Sequence, residues 1–135
     1  IFTANQTVNG LREAIYHTNV MMSLGQDIAI LCEETILDSN ERQNLIKTLE
    51  SSGKEIVRIS AAQKNQFAGN MLALENPQGE RFMVMSEQAF QSLDKAQIQQ
   101  ITNKYTILHA DIRHIETCGG GSVRCMLAEV FLPKK

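Results

Sequence analysis

Apolar residues in this chain fall into short runs separated by turn-formers, and the runs recur in the same order twice. Residues 17–24 and 27–32 are two such runs on either side of Gly25-Gln26, the pattern of a hairpin. A helix is predicted next. Asp38 or Ser39 can cap it, Glu41 lies in its first turn, and Leu45, Ile46 and Leu49 keep helical spacing until Ser51-Ser52-Gly53 ends it. Residues 55–59 then alternate as a short strand. From Asn70 the order repeats. A strand at 71–74, a turn at Asn76-Pro77-Gln78-Gly79 and a strand at 81–85 precede Ser86 as a cap, and helical sequence runs on to about residue 103. Asp94 caps a second helical piece carrying Ile98 and Ile101, and 105–108 closes the unit as a strand.

Two ββαβ units of nearly equal length are an internal repeat, the mark of a ring or stack in which each unit buries its face against a neighbour. The expected fold class is therefore α/β, built from repeated ββαβ modules, with 123–132 opening a further module as a strand. Two modules and a fraction cannot close a ring. Residues 1–135 are accordingly expected to be the C-terminal portion of one larger domain whose N-terminal half lies upstream, and the chain opens at Ile1 rather than Met.

Composition narrows the partners. With 43% hydrophobic and 21% charged residues the chain can bury a core, and a formal net charge of −2 leaves no basic face for nucleic acid or anionic lipid. Aromatic residues for base stacking make up 5%, with no Trp. The longest apolar stretch, 20–32, is interrupted by Ser23, Gly25, Gln26 and Asp27, so no membrane span is expected. Three cysteines at irregular spacing form neither a metal clamp nor a redox pair, which points to a reducing compartment, the cytoplasm.

The chemistry concentrates in 118–126, where Gly119, Gly120 and Gly121 deliver Cys125 into the last apolar run. Glycines together suit a backbone that something approaches closely, so the segment reads as the wall of a site. Cys125, beside the cation of Arg124, is a candidate nucleophile; the competing reading is a buried structural thiol. Cys32, inside an apolar run, is expected in the core, as are Met21, Met22, Met71, Met83, Met85 and Met126. Glu116 and Glu129 are expected to be solvated carboxylates, Lys134-Lys135 a solvated end, and His109 and His114 surface or hinge residues.

Three motifs stand in order: Tyr16-His17-Thr18-Asn19-Val20, Phe67-Ala68-Gly69-Asn70-Met71-Leu72, and 116–126 with its glycines and Cys125. Together they resemble the C-terminal half of the guanidino-group-modifying enzymes. That superfamily includes arginine deiminases, dimethylarginine dimethylaminohydrolases, agmatine deiminases and amidinotransferases, and the resemblance is strongest to its citrulline hydrolase branch. It covers essentially the whole chain. It implies a five-bladed α/β propeller around a central site, a hydrolase that needs no cofactor or metal, and a small amino-acid substrate; a homodimer is compatible with it.

Residue by residue, the resemblance places the nucleophile at Cys125 and the general acid/base at His17, which protonates the departing amine and then activates water. Cys118, before the glycines, does not match. Asn70 occupies the place of an asparagine beside the site, Arg124 that of the arginine before the nucleophile, and Gly120 and Gly121 supply the wall against which substrate lies. Deiminases carry a carboxylate two positions after the histidine; here that position is Asn19. A neutral amide suits a ureido group better than a guanidinium, which argues for citrulline over arginine. His17 and Asn19, two positions apart, are expected to share one face of a strand. The products would be ornithine, ammonia and carbon dioxide. An arginine or methylarginine deiminase and an amidinotransferase are the nearest alternatives, and a catalytically silent binding propeller is the alternative from another class.

Overall fold

The computed structural model describes residues 1–128. It opens with a hairpin that the hydrophobic pattern did not announce: β1 (Asn5–Val8) pairs antiparallel with β2 (Leu11–Ala14), Val8 facing Leu11 across a two-residue loop. The loop is Asn9-Gly10, both at positive φ (51° and 79°), the backbone that lets a tight turn follow the twist of its strands.

The two modules are present and built alike. In the first, β3 (Met22–Leu24) pairs antiparallel with β4 (Ile28–Leu31), helix α1 (Ser39–Ser51) crosses over, and β5 (Glu55–Arg58) returns parallel to β4. In the second, β6 (Leu72–Glu75) pairs antiparallel with β7 (Arg81–Ser86), helices α3 (Glu87–Ser92) and α4 (Lys95–Thr102) form the crossover, and β8 (Thr106–Ala110) lies parallel to β7. The caps are those the sequence offered. Asp38 accepts from the amides of Asn40 and Glu41 at 2.8 and 2.9 Å, Ser86 from Ala89, and Asp94 from Gln97 in a reciprocal capping box; each is worth about 1 kcal/mol.

Each sheet's middle strand is the one its neighbours bury. Ile28, Ala29, Ile30 and Leu31 of β4 are fully enclosed, and Met83 and Met85 of β7 meet the same core with Met21, Met71 and Cys32. Burying one such aliphatic side chain contributes about 1.5–3 kcal/mol. Burial also pushes the Cys32 thiol up to about 11, with the Glu34 carboxylate adding to the rise, as expected of a core cysteine. Met126 departs from that expectation, being 48% exposed on a short helix rather than packed in a strand.

The modules lock through Tyr105. Its hydroxyl accepts from the Gln26 amide at 2.9 Å and donates to Asp27 at 3.0 Å, while Arg81 holds the other oxygen of Asp27 at 3.0 Å. A Cβ on Gly25 would stand 2.6 Å from that hydroxyl, so the β3–β4 turn needs a glycine to accept the tyrosine.

Three further expectations are corrected. Residues 17–21 are not strand: His17 precedes a 3-10 turn over Thr18–Val20, and β3 begins only at Met22. Residues 123–126 are not strand either, because Val123–Met126 form helix α6; the rest of that expected strand, with Glu129 and Lys134-Lys135, lies outside the described residues. Helices α2 (Ala61–Asn65) and α5 (Arg113–Gly119) fill stretches that carried no assignment. Glu116 on α5 is buried, not solvated, because Ser122 donates to it at 2.6 Å. His109 is a surface residue as expected, stacked on Phe90 and paired through Nδ1 with Glu87. No helix among the described residues is long and apolar enough to cross a membrane.

Asp27 gives the module junction a pH signature. Partial burial alone would raise its carboxyl, but the Tyr105 hydroxyl and then the Lys104 and Arg81 cations outweigh that and hold it below its ordinary value of 3.8. A depressed folded-state value contributes stability that is present above 3.8 and is lost as the pH falls through the lowered value. Asp27→Asn should therefore lower Tm most near neutral pH, and thermal unfolding of both proteins should show the deficit closing in acid.

Candidate active site

Asn70 is the hub of the site. Its position is set from below by Gly69, where a Cβ would stand 2.6 Å from the Val20 carbonyl oxygen, so only glycine lets this loop lie against the 3-10 turn. The preceding residues hold the loop tightly: the Asn70 amide donates to the Phe67 carbonyl at 2.8 Å, and Phe67 itself takes a left-handed φ of 63°. Asn70 is 3% exposed, yet both ends of its side chain are used. Nδ2 donates to the Asn19 carbonyl at 2.9 Å and to Cys125 Sγ at 3.3 Å, while Oδ1 accepts from the Arg124 backbone amide at 3.0 Å. One carboxamide thus joins the turn bearing Asn19 to the helix bearing Cys125.

Cys125 arrives by a different route from the one expected. Helix α5 ends at Gly119, Gly120 caps it at a left-handed φ of 66°, and α6 begins after Ser122. Of the three glycines only Gly121 is crowded: a Cβ there would lie 3.1 Å from the Cys125 Cβ and 3.2 Å from Sγ. Gly119 and Gly120 face open space, so Gly120 is required for its backbone angle and Gly121 for clearance around the thiol. The Ser122 hydroxyl, turned to the buried Glu116, braces this bend.

The exposed Cys125 thiol borders a cavity of about 400 Å³ shared with Gln6, Tyr16, Lys64, Asn70, Gly120 and Gly121. A space of that size holds an amino acid with a long side chain. Asn19 reaches Sγ from the other side, its Nδ2 3.8 Å away. Two amide N–H groups thus face the sulfur, an arrangement that accepts a negatively charged sulfur or an oxygen developing charge beside it.

His17 sits one cavity further on. With Asn19, Ser23 and Arg124 it lines an adjoining space of about 540 Å³, and its exposed ring lies 5.6 Å from that of Tyr16. Because residues 18–20 are a 3-10 turn, the alternation that was to put His17 and Asn19 on one strand face does not exist. They share a cavity because the turn curls both toward it. Arg124 borders the His17 cavity as well, and its guanidinium donates to the Leu127 carbonyl at 3.5 Å; what it gives the thiol's surroundings is its main-chain amide. The structure thus brings Asn19, Asn70, Gly120, Gly121 and Cys125 together and sets His17 and Arg124 next door. Cys118 is exposed on α5 and does not line the Cys125 cavity.

Sequence reasoning passed over Lys64 and Gln6, which line the Cys125 cavity from α2 and β1. Ser60-Ala61-Ala62-Gln63 is a capping-box pattern that marks α2, and Asn9-Gly10 marks the β1–β2 hairpin, so both elements had local signals.

A family model described as N,N dimethylarginine dimethylhydrolase, eukaryotic, matches residues 2–132. Among solved structures the chain is similar to apo ArgZ, described as an arginine dihydrolase from the ornithine–ammonia cycle in cyanobacteria, with a TM-score of 0.62 at 10% sequence identity. The match takes in 82% of this chain and 15% of that one, so the chain spans a small part of the larger protein. At that identity the likeness speaks for the fold, and the modules are those of an α/β propeller. A search of curated proteins finds no match.

The hub makes a direct prediction. Asn70→Ala should remove the shorter bond of the Arg124 amide and the partner of the Asn19 carbonyl, and lower stability by about 1–3 kcal/mol in urea unfolding. Hydrogen exchange should localise the loss to peptides covering the 3-10 turn and α6; an unchanged midpoint and unchanged exchange there would show that the carboxamide does not hold them.

Proposed function

The chain belongs to the N,N dimethylarginine dimethylhydrolase family, and from that membership we propose that it is the nucleophile-bearing portion of a cysteine hydrolase acting on the ureido or guanidino group of an arginine-like amino acid, with citrulline as substrate. The observation that carries the reading is the thiol of Cys125 with the amides of Asn70 and Asn19 directed at it, 3.3 and 3.8 Å away, on the wall of a cavity of amino-acid size.

The sulfur attacks the central carbon of the group, whose resonance makes it a poor electrophile and so calls for a thiolate. The Asn70 and Asn19 amides stabilise charge at the reacting centre. Ammonia departs with a proton from His17, which meets the leaving nitrogen from the adjoining cavity, and a thiocarbamate on Cys125 remains. Water, deprotonated by His17, then displaces the sulfur; the carbamate released breaks down to ornithine and carbon dioxide. Overall, citrulline and one water give ornithine, carbon dioxide and ammonia. Upstream modules would complete the substrate's enclosure.

Asn19 supports citrulline within that chemistry. Its amide stands at the thiol, where a carboxylate would favour a cationic guanidinium, and a neutral ureido group needs no counter-charge. The family description favours a second reading, in which the substrate is a methylated arginine and the leaving group a methylamine.

Two experiments on the full-length protein test this. Mixing enzyme with citrulline, arginine or dimethylarginine and stopping the reaction early should yield a substrate-derived mass on the Cys125 peptide, with ammonia released from citrulline; Cys125→Ser should abolish turnover, and retained wild-type turnover would refute the mechanism. Asn19→Asp should shift kcat/KM toward arginine relative to citrulline by about tenfold or more, the equivalent of one charge-assisted bond. No shift would mean that Asn19 does not read the reacting group.

A further inference from the structure

Lys64 is a lysine in an uncommon place. It is 8% exposed, on the wall of the cavity that holds Cys125, and its Nζ donates to Gln6 Oε1 at 3.0 Å. Among the described residues it makes no ion pair. An ammonium has three protons to donate, and one removed from water with a single neutral acceptor lacks compensation. Glu34, which borders a smaller cleft on the other side of Lys64, directs its carboxylate to the Ala61 amide at 3.3 Å. Burial lowers the Lys64 pKa from the ordinary lysine value, with the nearby Cys32 opposing, as expected of a cation without a counter-ion.

The lysine is held in place. Helix α2 is tied by its Ser60–Gln63 capping box, and the Gln63 side chain donates to the Ser92 carbonyl at 2.8 Å and to Gln97 Oε1 at 2.7 Å. Gln6 faces it from β1 and lines the same cavity. Two other cations lie in the region: Arg124 borders the His17 cavity and donates to Leu127, and Arg12 borders the smaller cleft rather than the Cys125 cavity.

We infer that Lys64, with Gln6, is the anion-holding pair of the Cys125 cavity, binding the carboxylate of an amino-acid substrate while the group at its far end meets Sγ. For the identity of the substrate this rests on the hydrolase reading; for the charge of the cavity it does not. The carboxylate would supply the counter-ion Lys64 lacks, and its binding would fix how deep the substrate sits.

The test compares two alkylating agents of similar size and reactivity, anionic iodoacetate and neutral iodoacetamide, on the full-length protein. Their rate ratio at Cys125 cancels the thiolate fraction, because both react with the same sulfur, and Cys118 in the same molecule serves as reference. A cation in the cavity should raise the ratio at Cys125 about tenfold or more above that at Cys118. Lys64→Met should remove the excess and Lys64→Arg should keep it. Equal ratios at the two cysteines in the wild-type protein, or an unchanged ratio in a folded Lys64→Met, would overturn the proposal. Should Lys64→Met fail to fold, the wild-type comparison decides. A second readout uses turnover: Lys64→Met should raise KM for citrulline about tenfold, and raise KM for its carboxamide analogue by a clearly smaller factor. An intact alkylation ratio without turnover of any substrate would sink the hydrolase reading and leave the anion site standing; normal turnover with no charge preference would do the reverse.

Discussion

One buried carboxamide organises the functional end of this molecule. Asn70 donates to the Asn19 carbonyl and to Cys125 Sγ, and it accepts from the Arg124 amide. It therefore ties together chain segments separated by 51 and 54 positions. No apolar side chain could do this, because the Asn19 carbonyl would then lose its partner and the Arg124 N–H would keep only a longer bond, at 3.4 Å, to the Asn70 main-chain carbonyl. No shorter polar residue reaches both ways. The thiol's position is thus a consequence of hydrogen-bond satisfaction in the backbone around it, and the same amide that satisfies that backbone is presented to the sulfur.

The surrounding glycines serve this tie for two different reasons. Gly69 and Gly121 provide room, one for the Val20 carbonyl and the other for the cysteine's own side chain, whereas Gly120 provides a left-handed backbone angle at the end of α5. Phe67 adopts a comparable angle without being glycine, at a strain of about 1–3 kcal/mol. Strain of this kind next to a cavity persists only where packing over-determines it, and here the loop is held by the Phe67–Asn70 and Gln63–Ala68 backbone bonds.

The repeat was readable in the chain because periodicity 2, turn residues and helix caps agree within each module: Asp38, Ser86 and Asp94 mark their helices by the bonds their side chains make. Residues 17–21 and 123–126 misled for one physical reason. Each forms a short turn closed by local backbone bonds, Val20 to His17 and Met21 to Thr18 in one and Cys125 to Ser122 in the other, and each turn is tied to Asn70 from far along the chain. A long-range bond of that kind leaves no local trace. The expectation that Asn19 shares a face with His17 rested on a strand geometry that is absent, and Asn19 comes near the sulfur through the turn. Lys64 was invisible for a related reason, since a lysine in a polar pentapeptide reads as solvated until the fold shows which face of α2 is covered.

What emerges is a scaffold of two modules, joined at Tyr105 and Asp27, that presents a thiol, two amides, a buried cation and a neighbouring imidazole around two adjoining cavities. The central claim is that the cavity beside Cys125 is where substrate lies. It is tested most directly by labelling the full-length protein with a limiting amount of iodoacetamide, with and without saturating citrulline, and reading Cys125 and Cys118 separately by peptide mass spectrometry. The account predicts that citrulline protects Cys125 and leaves labelling of Cys118 unchanged; labelling of Cys125 that is indifferent to citrulline, arginine and dimethylarginine alike would contradict it.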